Sequence, residues 1–102
     1  MPIYKTARFK VREESIETAK AAIKTFIAAV KANEPQTLYY TSWQERDEPS
    51  RFLHYFAFEN AEAEAFHRGT EWAQQFTSIL YPELVSDGVE FTDYVAAATT
   101  HD

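Results

Sequence analysis

Residues 37–59 read TLYYTSWQERDEPSRFLHYFAFE, and the fold turns on how this stretch is divided. The segment 37–46 is rich in Thr, Tyr and Trp, and 51–59 is RFLHYFAFE; both compositions favour strands. Between them ERDEPS is polar and carries a proline, the signature of a loop. Two strands therefore follow one another with no helix between them. Within each, apolar side chains fall on both parities. Phe52, Phe56 and Phe58 oppose Leu53, Tyr55 and Ala57, while Leu38 and Tyr40 oppose Tyr39 and Trp43. A sheet covered on one face needs only one apolar parity, so both faces of this hairpin ask to be covered.

Outward from the hairpin, residues 13–33 place Ile16, Ala19, Ile23, Phe26, Ile27 and Val30 at three- and four-residue steps, the stripe of an amphipathic helix. Ser15 is the expected N-cap, and Asn33-Glu34-Pro35 ends the helix. Residues 3–11 alternate, with Ala7, Phe9 and Val11 on one parity, and predict a first strand. After the hairpin, Asn60 caps a short helix in which Ala63, Phe66 and His67 step around one face. Gly69 and Thr70 interrupt it. A second helical stretch then carries Trp72, Ala73, Phe76, Ile79 and Leu80, and a last strand runs from Val89. The order strand–helix–strand–strand–helix–strand predicts an α+β, ferredoxin-like antiparallel sheet with its helices on one face. At 102 residues, all of 1–102 is expected to form a single domain.

Burying one aromatic ring removes roughly 150–250 Å² from water, and each Å² is worth about 25 cal/mol. The hairpin's second apolar face therefore predicts a homodimer in which two sheets stack. Composition excludes several classes. The formal charge is −6 and no run of Lys or Arg occurs, so nucleic acid is not an expected partner. Without cysteine there is no disulfide framework, iron–sulfur site or thiol nucleophile. No long apolar run suggests a signal peptide or membrane span, and the cytoplasm is the expected compartment. His54, His67 and His101 lack metal-ligand spacing, so no metal is expected. Gly69 and Gly88 are the only glycines, too few for a phosphate loop.

The segments EPQTLYY (34–40) and EPSRFLHYFAFENAEAEAFHRGTEWAQQF (48–76) resemble the antibiotic biosynthesis monooxygenase domain of the dimeric α+β barrel superfamily. The likeness lies in the Glu34-Pro35-Gln36-Thr37 turn, in Pro49 and Phe52 opening a strand, and in Asn60 at a helix start. It continues in Ala63 and His67, then Thr70 and Phe76. The resemblance implies a homodimeric barrel with a pocket between helices and sheet. It also implies oxygenation of quinol-like or polyketide aromatics without flavin or metal, or haem binding in one branch. The sequence departs from the pattern at Phe56, where a Glu is common, and at Thr70-Glu71-Trp72, where a small residue, Pro and His are usual. Ala7 and Thr6 occupy the region where haem degraders carry Asn, which disfavours haem, so no cofactor is expected.

His67 is the candidate catalytic residue, a base whose unperturbed titration range lets it take a phenolic proton near neutrality. The competing reading is a structural histidine that fixes the helix break. Trp72, Phe76, Tyr39, Trp43 and Tyr55 are the candidate substrate-binding residues, with packing or assembly as their alternative role. His54, on the parity of Phe52, Phe56 and Phe58, is expected to be a packed, hydrogen-bonded histidine, and Glu62, Glu64 and Glu71 a solvated helix face. The expected function is monooxygenation of a small phenolic or quinol ligand. The alternative is a non-catalytic dimer that binds a small molecule or serves in stress.

Overall fold

The computed structural model describes residues 1–85 and 88–100. Strand β1 (Ile3–Lys10) leads through a 3-10 turn at Glu13–Ser15 into helix α1 (Ile16–Asn33). The hairpin β2 (Thr37–Gln44) and β3 (Arg51–Phe58) follows, then helices α2 (Ala61–Arg68) and α3 (Glu71–Leu80), a 3-10 turn at Tyr81–Glu83, and β4 (Glu90–Tyr94). The sheet is antiparallel throughout, in the order β2-β3-β1-β4. This is the expected ferredoxin-like α+β arrangement.

The α1 stripe supplies the core. Ala19, Ile23, Phe26 and Val30 are buried against Phe9, Phe52, Phe76 and Leu80. Register sorts the sheet residues by face. Phe9 pairs with Phe52, Lys5 with Phe56, and Tyr40 with Phe56, so these side chains and their parity mates His54 and Phe58 meet the helices. Tyr39 pairs with Ala57, Thr41 with Tyr55, and Trp43 with Leu53 on the opposite face. That face is bare: Trp43 is 60%, Tyr94 43% and Tyr55 39% exposed. The two-sided apolar hairpin is therefore real, and the chain's own helices cover only one side of it.

Local differences from expectation have identifiable causes. Ser15 borders α1 but makes no side-chain cap bond; its hydroxyl instead donates to the Glu83 carboxylate, which also accepts from Arg12 at 3.1 Å. Val11 lies beyond β1, in an isolated bridge to Leu84, and β4 is shorter than Val89 onward suggests. A register shift between Thr37 and Tyr39 leaves Leu38 outside the ladder and exposed. On α2, Phe66 faces solvent at 57% exposure, while Ala63 and His67 turn inward. Glu64 is no solvated acid: it pairs with Lys5 at 2.7 Å and Arg68 at 3.6 Å. Among the described residues, no helix is long and apolar enough to cross a membrane.

Candidate functional site

The site is built from the two ends of the helical layer. Where α1 stops, Glu34 closes the last turn and begins the turn into β2. Its side chain is 2% exposed, and three donors converge on its carboxylate. Thr37 Oγ1 donates to Oε1 at 2.6 Å, His67 Nδ1 lies 2.8 Å from Oε1, and the Trp72 indole donates to Oε2 at 2.5 Å. Indole nitrogen can only donate and an ionised carboxylate can only accept. Nδ1 of His67 therefore turns an N–H toward Glu34, and in the neutral ring the lone pair is the one on Nε2. Among the described residues, only Glu34 hydrogen-bonds the His67 ring.

Local backbone chemistry holds that ring in place. Asn60 Oδ1 accepts from the Ala63 amide at 2.9 Å and starts α2. Thr70 Oγ1 donates to the His67 carbonyl at 2.9 Å and accepts from the Ala73 amide at 3.1 Å. The break at Gly69-Thr70 thus ends one helix at Arg68, one residue past His67, and caps the next.

His67 forms part of the wall of a cavity of about 560 Å³ between helices and sheet. Rings make most of that wall. Phe58, Phe26 and Tyr40 stand 5.1, 5.6 and 5.7 Å from the His67 ring, centroid to centroid. Phe76 stacks on Phe26 at 4.5 Å and Tyr40 on Phe56 at 4.7 Å. At the rim, Lys5 bridges Glu64 and Asp93, its ammonium pKa raised chiefly by the Glu64 bond. An apolar, ring-lined hollow with few convergent polar groups is the ordinary form of a small-molecule site.

His54 is also part of this wall and is 1% exposed. Its Nδ1 lies 2.9 Å from the Tyr40 hydroxyl, and burial pushes its pKa down to about 4, so the ring is neutral at pH 7.

Of the residues named from sequence, His67 and Phe76 are brought together at the cavity. Trp72 is not in its wall: its indole N–H is committed to Glu34, and its ring borders a groove between α1 and α3. Tyr39, Trp43 and Tyr55 lie on the opposite sheet face, where the Tyr39 and Tyr55 rings sit 4.9 Å apart. The pleat explains this, because Tyr40 and Phe56 face the helices and their chain neighbours must face away. Sequence reasoning missed Glu34, Tyr40 and His54 as site residues. The only local signal for Glu34 was its place at the head of the Glu-Pro turn.

A family model described as antibiotic biosynthesis monooxygenase matches residues 2–78, a span that contains Glu34, Tyr40, His54, His67 and Phe76. The chain belongs to the antibiotic biosynthesis monooxygenase family. Solved structures share its fold. A Bacteroides thetaiotaomicron VPI-5482 protein, proposed to be a monooxygenase of this family, superposes with a TM-score of 0.90 at 16% identity, over 99% of this chain and 94% of that one. Rv0793 from Mycobacterium tuberculosis gives 0.86 at 17% identity, over 98% and 99%. A Caulobacter crescentus CB15 protein, again proposed to be such a monooxygenase, gives 0.82 at 23% identity, over 93% and 91%. No curated protein matches the sequence.

Proposed function

We propose that the chain is a cofactor-independent monooxygenase that oxidises a small phenolic, quinol or anthrone-type aromatic inside the ring-lined cavity. The carrying observation is the Glu34–His67 pair: a buried carboxylate on Nδ1 leaves the basic Nε2 of a histidine in the wall of an apolar cavity. Neutral imidazole so oriented is a general base suited to neutral pH. His67 Nε2 takes the acidic proton of the substrate, and the resulting electron-rich anion reduces O₂. One oxygen atom becomes bonded to the ring carbon and the other leaves as water. For an anthrone-type CH₂, the balance is CH₂ + O₂ → C=O + H₂O. Phe76, Phe26 and Phe56 hold the planar substrate by stacking, a role that passes to them from Tyr39, Trp43 and Tyr55. Trp72 serves by holding Glu34.

The same reading makes the protein a homodimer through the bare sheet face, where a second sheet would cover the exposed rings of Trp43, Tyr55 and Tyr94. A cysteine-free chain with a pI near 5.0 is compatible with the cytoplasm, the compartment this reading assigns.

Oxygen uptake with a panel of quinols and anthrones tests the activity. Wild type consumes O₂ with at least one member, and His67→Ala is slower by about 100-fold or more, the usual worth of a positioned base. Inactivity of the wild type on the whole panel, or equal rates for the variant, contradicts the reading. Ligand binding without O₂ uptake would make the protein a carrier instead.

A further inference from the structure

One ring of the cavity wall, that of His54, carries a buried nitrogen, Nε2, that meets no hydrogen-bond partner among the described residues. Leaving such a group unmet costs the desolvation of the group with no return, and buried polar groups are nearly always paired. Its ring is pinned on every other side: Phe9 packs edge-on at 5.1 Å, Phe76 lies at 5.9 Å, and Tyr40 bonds Nδ1. The Tyr40 hydroxyl keeps its proton, since burial holds it above the ordinary tyrosine range. A phenol is the stronger donor of the two, so Tyr40 donates to Nδ1. Neutral imidazole has a single N–H, and it is then on Nε2. Tyr40 also stands between the two histidines, its ring centroid 5.3 Å from His54 and 5.7 Å from His67.

We infer that His54 donates Nε2–H to a carbonyl or oxyanion oxygen of the substrate, held in that tautomer by Tyr40, while His67 takes the proton elsewhere on the same ring system. This rests on the oxygenase reading of the cavity and narrows its substrate class to aromatics with two functions: an acidic hydrogen and a conjugated acceptor oxygen. Removing the proton at one end places negative charge on that oxygen, where a fixed donor stabilises it without reorganisation. The electron pair and proton move as in the reaction above, and His54 gains and loses none.

Calorimetric titration with two probes tests the inference: 2-naphthol, and 6-acetyl-2-naphthol, which adds a ketone across the rings. Wild type is expected to bind the ketone about tenfold more tightly, the worth of one net hydrogen bond to a buried donor. His54→Leu should lose the preference and bind the two probes equally. Tyr40→Phe keeps the stack on Phe56 and should narrow the preference. Nitrogen-15 spectra should place the imidazole proton on Nε2 in the wild type and divided between the two nitrogens, as a mixture of tautomers, in Tyr40→Phe. Equal binding by the wild type, or a ketone preference that survives His54→Leu, overturns the inference. So does a wild-type proton on Nδ1, which decides the matter even if His54→Leu fails to fold. Failure to bind 2-naphthol at all would instead strike the cavity reading first, and the donor role with it.

Discussion

Glu34 does two jobs at the residue scale, gathering Thr37, His67 and Trp72 and choosing the tautomer of His67. Glu34→Gln keeps the shape, but its amide can offer N–H where the carboxylate only accepted. Steady-state kinetics of this variant should show kcat down about 10–100-fold with KM little changed, since orientation of the base is lost before the cavity is. His54 supplies a second test. Its pKa is pushed from 6.5 to about 4 by burial, so between those values the unfolded chain binds the proton and the folded chain does not. Stability therefore falls as pH drops from about 6.5 to 4, by about 3 kcal/mol from this group alone. Urea melts across that window should show His54→Leu losing less stability than wild type by that amount. Sequence placed His54 on the parity of Phe52, Phe56 and Phe58 and singled out His67, because parity and helical step are local. Glu34 was invisible for the opposite reason: the partners that define it lie 33 and 38 residues away.

At the scale of elements, the α2–α3 break is what presents His67. Thr70 bonds the His67 carbonyl in the last turn of α2 and the Ala73 amide in the first turn of α3. Thr70→Ala should cost about 1 kcal/mol in thermal or urea unfolding, and Thr70→Ser should restore most of it. The helices, the hairpin and this break were legible because each rests on short-range chemistry: a periodic stripe on α1, side-chain caps at Asn60 and Thr70, a polar proline loop at 45–50. What failed were details set by contacts across the fold. Ser15 leaves its capping role for Glu83, Phe66 and His67 divide between solvent and core, and a register shift ejects Leu38.

For the whole molecule, one chain covers most of the helix-facing side of its sheet, with Phe91 left exposed at its β4 edge, and leaves Trp43, Tyr55 and Tyr94 bare on the other. Light scattering should give twice the 11.8 kDa chain mass, and Trp43→Asp, which buries a charge in any stacked interface, should shift the protein toward monomer. The apolar character of both faces was legible from the alternation in residues 37–59. Which rings faced the cavity was not, since that depends on the register linking three strands. The most direct test of the account is a crystal structure of the protein grown without oxygen in the presence of a quinol or anthrone that it turns over. The ring is predicted to lie among Phe26, Phe56 and Phe76, with its acidic hydrogen directed at His67 Nε2. A ligand seated on the open sheet face instead, or a cavity filled by the protein's own side chains, would contradict it.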